Sequence, residues 1–344
     1  MEFTLFIELI FITYGKSSTI NAVNKIVPGV NSRNITVRLF PPTKSFIKQS
    51  FVTQLISLYN FYSYIASNPA RCRRFTCNDS LFTVFNCNLK NKYEELWSHF
   101  HYIVYVMEGK KIWHTSHGSY DLHRGSCVFV RKGAAIAEQF FDTEFCFCLF
   151  FVSDEFICDV LKDKSTPIPK SVENYDPIIS IDNNTAVQTY FHSMMAYFDN
   201  SHDPDKSLLE LKFRELILTI ADNPVNVNLL SYFGSLLQTP QSVSMQRVME
   251  DNFCYNLPLQ AFAKLCSRSL SAFKRDFEKQ YHTTPGKWLM EKRLKYSMHL
   301  LSNEGKTVAE AAFESGFESP CHFSRCFHQF FGVAPAGVKQ KMIA

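Results

Sequence analysis

The sequence predicts a multidomain α+β protein. An N-terminal β-sandwich or jelly roll with helices precedes a C-terminal all-α domain of two helix-turn-helix units joined by a long helix. Three observations predict this fold. Short β-branched and aromatic runs separated by Gly extend from about residue 82 to residue 152. The apolar period then changes to that of helices. Finally, a helix, a tight turn and a second helix occur twice after Leu257.

The charge of the chain is unevenly distributed along its 344 residues. Between Pro240 and Ala344 there are 14 Lys+Arg and 9 Asp+Glu, a net of +5, which leaves −1 for the rest of a chain whose net charge is +4. A positive excess confined to the last third is typical of a segment that contacts DNA, although solvated helical faces can have the same balance. The 46% apolar content suffices for several cores and excludes general disorder.

Neither the cysteines nor the apolar N-terminus indicates a metal centre or a membrane role. The 11 cysteines form no CxxC pair and no Cys/His cluster, so we expect buried free thiols in a reducing cytoplasm, without metal or disulfides. Residues 3–13 are apolar but contain Glu8, lack a basic start and are too short to span a bilayer. We interpret them as a strand or helix packed on the domain or as a mis-assigned start, within an uncertain extension over 1–60.

The strand pattern is clearest between His101 and Val152. Gly109, Gly118 and Gly125 mark the turns between the short runs. The predicted strands are 101–106, 111–113, 120–123, 127–130 and 145–152. Because the last run is continuously apolar, we expect that strand to be buried on both faces.

Helical periodicity begins after Val152 and is interrupted by prolines. The predicted helices are 154–163, 186–198, 207–221 and 227–237. The third has a wide apolar stripe, made of Leu208, Leu209, Leu211, Phe213, Leu216, Ile217 and Ile220. This stripe would pack on the sandwich or against a second subunit, so we assign 171–238 to packing or dimerisation. Residues 239–242 are the predicted linker into the last domain, 240–344.

The first helix-turn-helix unit begins near Pro258. The apolar positions of its first helix are Leu259, Phe262, Ala263 and Cys266. A turn then leads to Ser269, a residue type preferred at helix N-caps. The second helix, 270–281, buries Leu270, Phe273 and Phe277. Its opposite face exposes Ser271, Lys274 and Arg275 near the N-terminus, the arrangement with which such a helix contacts bases in a major groove.

The pattern recurs in a second unit. Thr307 would cap a helix that holds Val308, Ala311, Ala312 and Phe313, and Gly316 would make the turn with a positive φ. Ser319 would cap a helix with Phe323, Phe327 and Phe330 on its inner side. The outward side carries His322, Ser324 and Arg325. Between the units, Met290, Leu294, Met298 and Leu301 predict one long amphipathic helix that begins after Thr284-Pro285.

The region from about 243 to 340 resembles the AraC/XylS family of bacterial transcription regulators, with many matches at fixed offsets. The matching residues are Ala263, Ser269, Phe273, Arg275, Phe277, Thr284-Pro285, Arg293, Leu300-Leu301, Gly316-Phe317-Glu318-Ser319, Phe323-Ser324-Arg325-Cys326-Phe327, Phe331-Gly332 and Pro335. The departures are Tyr281 in place of the usual Gly, Val338-Lys339 in place of the closing Tyr-Arg, and Pro320 early in the second recognition helix.

This resemblance implies that one chain places two recognition helices in successive major grooves, about 34 Å apart. The predicted DNA-binding residues are Ser271, Lys274, Arg275, Cys321, His322, Ser324 and Arg325. For Arg275 and Arg325, an internal ion pair or a phosphate contact is the alternative to base recognition. The resemblance also implies an activator more than a repressor, with RNA polymerase as a partner.

The N-terminal segment 1–170 resembles, more loosely, the cupin-like sensory domains of the same family, through Tyr102 to Gly133. The spacing of His101, His114, His117 and His123 does not match a cupin metal site, so we predict no metal, no cofactor and no catalytic residue. The predicted function is sequence-specific DNA-binding transcription regulation in the cytoplasm, with an N-terminal domain that senses or dimerises. A small-molecule effector and a regulatory protein remain alternative signals, and a cupin enzyme with a DNA-binding appendage is the less favoured rival.

Overall fold

Alternating apolar and polar side chains divide the N-terminal half of the protein into short strands. In the computed structural model, residues 58–69, 72–86, 91–140, 144–162, 164, 175–200, 202–238 and 245–340 are described. The predicted apolar extension up to residue 57 and the predicted linker 239–242 lie outside them. The strands are β1 Tyr59–Asn60, β2 Arg74–Cys77, β3 Ser80–Asn86, β4 Tyr93–Ser98, β5 His101–Glu108, β6 Lys110–His114, β7 Ser119–His123, β8 Cys127–Val130, β9 Gly133–Gln139, β10 Cys146–Val152 and β11 Ile178–Ser180.

These strands form two facing sheets, as the predicted sandwich requires. One sheet has the order β1-β4-β9-β6-β7 and the other the order β11-β8-β5-β10-β3-β2. In the second sheet β10 pairs antiparallel with both β3 and β5, so that Cys148 lies opposite Val84 on one side and Tyr105 on the other. Strand β10 is buried on both faces, as predicted, because one face meets the other sheet and the other meets helices.

Six of the described strands are not among the predicted ones, namely β1, β2, β3, β4, β9 and β11. Strand β4 contains Glu94 and Glu95, and β9 begins with Gly133-Ala134-Ala135, so neither has the β-branched pattern of the other strands. They nevertheless pair with each other, with Leu96 opposite Ala135. Strand β2 lies upstream of residue 82, where the predicted strand region began. Tertiary pairing therefore overrides weak local preference at these positions.

Helices cover the outer face of the second sheet. Helix α1 Phe61–Ser67 is not one of them, because its Phe61 and Ile65 pack in the cluster between the sheets. The covering helices are α2 Asp154–Leu161, α3 Thr185–Asp199, α4 Lys206–Asp222 and α5 Val227–Gln238. The predicted stripe of α4 is intramolecular at five positions, Leu209, Phe213, Leu216, Ile217 and Ile220. The other two, Leu208 and Leu211, are exposed, because one helix face about 100° wide cannot hold all seven.

The C-terminal part is entirely helical. Its helices are α6 Met245–Asn252, α7 Leu259–Leu265, α8 Leu270–Tyr281, α9 Pro285–Ser302, α10 Val308–Glu314, α11 Pro320–Phe331 and α12 Pro335–Gln340. Helix α9 is the predicted long connecting helix, and it begins at Pro285 after the Thr284 cap. The short helices α6 and α12 were not predicted. Among the described helices, none has the length and apolar character that a membrane crossing requires.

Candidate nucleic-acid interface

Local hydrogen bonds define the first helix-turn-helix unit. Helix α7 ends in a turn at Ser267, whose φ is 53°, and the Arg268 amide donates to the Ala263 carbonyl at 2.9 Å. Ser269 caps α8 as predicted, because its hydroxyl accepts from the Ala272 amide at 3.2 Å. The turn therefore fixes the angle at which α8 leaves α7.

The outer face of α8 carries the predicted DNA-binding residues Ser271, Lys274 and Arg275, all exposed, while Phe273 and Phe277 are fully buried. The Arg275 Nε donates to Asp276 Oδ1 at 3.2 Å, but the Arg275 side chain stays 75% exposed. Asp276 also pairs with Arg268 at 3.1 Å. The guanidinium of Arg275 thus lies on the surface beside an acidic neighbour and not in an internal ion pair.

The second unit repeats this arrangement with different caps. Thr307 and Glu310 form a capping box at the start of α10, and Gly316 has the predicted positive φ, at 93°. Ser319 occupies the N-cap position of α11, but its side chain makes no capping bond. Helix α11 exposes Cys321, His322 and Arg325, with Ser324 partly exposed.

One inner position of α11 was predicted wrongly. Phe323 and Phe327 are fully buried, whereas Phe330 is 42% exposed. The inner row continues instead to Phe331, whose ring centre lies 4.6 Å from that of Phe327. Side chains four residues apart lie on the same face of a helix, so the third aromatic side chain on the inner face is Phe331.

A half-buried arginine joins the two units, and the sequence reasoning did not identify its role. Arg293 of α9 donates to the carbonyls of Phe253, at 2.7 Å, and Tyr255, at 2.8 Å. Gly316 lies against the same segment, since a Cβ there would be 2.9 Å from the Cys254 carbonyl oxygen. The family resemblance marked Arg293 and Gly316, but nothing in the local pattern predicts that both contact residues 253–255.

The first unit also contacts the β-sandwich. Trp97 and Ile136 of the first sheet share one apolar cluster with Met249 of α6 and Phe262 of α7. The Ala134 amide donates to Asn252 Oδ1 at 2.9 Å. The first helix-turn-helix unit and the sandwich therefore share a core.

An acidic side chain supplements this contact. Asp251 lies 3.5 Å from both His117 and Arg131 and 3.8 Å from Arg247. The Ser116 hydroxyl donates to the Asp251 carbonyl at 2.9 Å. Sequence reasoning missed Ser116 and Arg131 as partners because they are 135 and 120 residues from Asp251 in the chain.

The four histidines considered for a cupin site each have a separate partner. His101 Nε2 lies 2.6 Å from Asp154, and His114 Nε2 lies 2.9 Å from Glu138. His117 faces Asp251, and His123 Nδ1 bonds the Arg124 carbonyl. Over the described ranges, no group of three or more His, Cys, Asp or Glu side chains is arranged to hold a metal ion.

A buried charged group surrounds His101. Lys132 Nζ lies 2.5 Å from the second oxygen of Asp154, and Tyr232 bonds the His101 ring. Burial lowers the pKa of His101. Burial alone would raise the pKa of Asp154, but His101 and Lys132 outweigh it and hold that pKa well below its usual range. These hydrogen bonds, together with the Lys132–Asp154 ion pair, tie β5, α2 and α5 together.

Two family models match the chain. The ExsA N-terminal regulatory domain matches residues 101–232, and a helix-turn-helix domain matches residues 262–341. The virulence regulon transcriptional activator VirF of Yersinia enterocolitica is 28% identical over 251 residues, which cover 70% of this chain and 89% of VirF. The HTH-type transcriptional regulator ExsA of Pseudomonas aeruginosa is 28% identical over 139 residues, which cover 40% of this chain and 50% of ExsA.

Among solved structures, ToxT from Vibrio cholerae aligns with 75% of this chain and 97% of its own, at 12% identity and a TM-score of 0.32. The two family matches fall on the regulatory and helical parts described above, and the relatives named here are transcription regulators. In both its regulatory and its helical part the chain is therefore similar to bacterial transcription regulators, in agreement with the resemblance of its sequence to the AraC/XylS family.

Proposed function

We propose that the protein activates transcription by placing α8 and α11 in successive major grooves of a promoter. One observation carries the proposal: in both units the Phe side chains form the core, while polar and basic side chains lie exposed on the recognition helix. The 18 residues of α9 span about 27 Å, a length comparable to the groove repeat of about 34 Å. VirF is named a transcriptional activator, which supports activation over repression.

Within this proposal each recognition residue has a chemical role. Arg275 and Arg325 would bond guanine in a bidentate manner, and Lys274 would contact guanine or phosphate. The shorter polar groups, Ser271, Cys321, His322 and Ser324, would contact neighbouring base edges. The exposed Lys264 and Lys295 are within the range of side chains that contact phosphates, but solvated surface lysines explain their positions better.

The test is fluorescence anisotropy of the full chain on genomic fragments at two salt concentrations. The variants are Arg275→Ala and Arg325→Ala, with Lys206→Ala on α4 as a charge-matched control. Each recognition variant should lose about 1–3 kcal/mol of discrimination at one base position, whereas the control keeps the wild-type preference. Binding that is equally unselective in all four proteins would mean that these helices do not recognise bases.

The N-terminal domain would control this activity, and the packing of its interior favours a protein signal. Bulky rings fill the space between the sheets, among them Phe61, Tyr102, Trp113, Phe147 and Phe151. Such an interior leaves little room for a metabolite. A thermal-shift screen of the full chain distinguishes the two signals, because a metabolite that binds the native state must raise its stability.

Dimerisation is the second proposed role of the N-terminal part. Leu208, Leu211 and Leu218 of α4 expose 39%, 66% and 41% of their surfaces, and they follow one another at i, i+3 and i+10. A second copy of the chain would cover this row, and two protomers on adjacent sites would bind DNA more tightly than one. Light scattering of Leu211→Glu tests this, with Val225→Glu as an exposed apolar control outside α4. Contact with RNA polymerase and a cytoplasmic location follow from action at promoters.

A further inference from the structure

Two side chains on the outer face of α11 meet in a manner that base recognition does not require. Cys326 Sγ lies 3.4 Å from His322 Nε2, one helical turn apart. The ring of Phe317, itself buried, contacts the His322 ring edge-on with 5.9 Å between centres and limits its orientation. An imidazole nitrogen of the exposed His322 and the sulfur of the half-buried Cys326 therefore converge at one place on the surface of α11.

We propose that His322 and Cys326 form a binding site for a thiophilic divalent cation of the zinc type. Thiolate and imidazole are the ligands that such cations prefer. Tetrahedral zinc, with Zn–S of about 2.3 Å and Zn–N of about 2.0–2.1 Å, requires about 3.6 Å between sulfur and nitrogen. The distance of 3.4 Å is close to this value, so the two ligands need little movement.

The site would be exchangeable and not structural. Since structural zinc sites use four protein ligands, two leave open positions for water or for another ligand. The helix is already held by the fully buried Phe323 and Phe327, whereas Cys326 only packs at the margin of their core, so folding does not depend on the cation.

Other thiols of the same domain do not compete for the cation. Cys254 and Cys266 are buried, and burial raises the pKa of Cys266 to about 11. Cys321 is exposed on the same helix, but it lies on a different side of α11 from Cys326, five residues away. Cys321 is therefore the matched control.

The effect of a bound cation on DNA binding rests on the proposed function of α11. A cation on His322 removes its Nε2 from the groove and adds bulk beside Arg325. Bound zinc should therefore weaken DNA binding, and a chelator should restore it.

A cobalt titration in the absence of DNA tests the site. The full chain is first freed of metal, and it is kept reduced without added thiols. The wild type should develop thiolate-to-cobalt absorption at one equivalent, and zinc should displace it. Losing even a supporting partner lowers metal affinity about 10- to 100-fold, so Cys326→Ser and His322→Gln should each weaken cobalt binding at least about tenfold. Cys321→Ser should bind as the wild type does.

Absorption that persists in both ligand variants, or that Cys321→Ser abolishes, would overturn the site. In a second titration, zinc should weaken DNA binding by the wild type but not by Cys326→Ser. If zinc affects both proteins equally, the coupling to DNA is wrong. A metal-free wild type that binds no specific DNA would instead contradict the proposed function, while the cobalt result would stand by itself.

Discussion

His99 is a titratable side chain at the contact between the sandwich and the first helix-turn-helix unit. Its Nδ1 bonds the Asn60 amide at 3.1 Å, and its ring packs on Phe100. Burial, with smaller contributions from Lys264 and Lys132, lowers the pKa of His99 to about 4. In the unfolded chain the pKa of a histidine is about 6.5. Between these values the unfolded state binds the extra proton, so stability falls as pH falls.

We therefore expect the free energy of unfolding to decrease from pH 7 to pH 5. His99→Gln should reduce this decrease by about 1 kcal/mol, a value that allows for the partial exposure of the His99 ring. Urea unfolding of the wild type and of His99→Gln at both pH values measures the two decreases. The buried His101, whose pKa burial also lowers, accounts for a remaining decrease in the variant. His192→Gln, on the exposed face of α3, should keep the wild-type dependence, and an unchanged dependence in His99→Gln would contradict the assignment.

Gly316 and Gly332 both have positive φ, at 93° and 72°, but only Gly316 lies against another segment. Gly332→Ala should cost only the left-handed backbone penalty of about 1–2 kcal/mol. Gly316→Ala adds a contact of 2.9 Å with the Cys254 carbonyl oxygen, so we expect a total cost of about 3–4 kcal/mol. Chemical denaturation of both variants measures the difference. Equal costs would mean that the segment at Cys254 moves away without penalty.

Helix α6 connects the sandwich to the DNA-binding domain through the buried Asn252. Its Oδ1 accepts from the Ala134 amide, and its Nδ2 donates to the Val248 carbonyl, both at 2.9 Å. Asn252→Ala leaves the Ala134 amide without this acceptor, which should cost about 1–3 kcal/mol. Hydrogen exchange at Ala134 should accelerate accordingly. Gln246→Ala, on the exposed side of α6, is the control and should leave the Ala134 amide protected. Equal exchange of this amide in both variants would show that Asn252 does not hold the junction.

Helices and strands with a strong period of apolar side chains could be predicted from the sequence, and those with a weak period could not. The helices α2 to α5 and α8 to α11 repeat apolar side chains every three to four residues, and their outward residues followed from the same period. Strands β4 and β9 lack that signal and exist because they pair with each other. The partners of Arg293 and Asn252 are 38 to 118 residues distant, and local periodicity has no information on such pairs.

The two helix-turn-helix units stand in different surroundings within the whole molecule. The core of the first unit includes Trp97 and Ile136 of the sandwich. In the described part of the chain, the core of the second unit consists of residues between Met290 and Val338 alone. Burial shared with a larger domain raises the free energy of local opening. A signal in the regulatory domain would therefore reach the first recognition helix directly, and the second through α9 and through the contacts of residues 253–256 with Gly316 and Glu318.

Native-state hydrogen exchange should thus show lower opening free energies in α10 and α11 than in α7 and α8. Trp97→Ala removes the largest sandwich side chain from the shared core, at a cost of about 3–5 kcal/mol if the site does not collapse. In that variant the protection of α8 should fall toward that of α11, while α11 itself keeps its wild-type exchange. If α8 and α11 lose protection together, α9 couples the two units so tightly that they open as one, and a regulatory signal would act on both recognition helices at once.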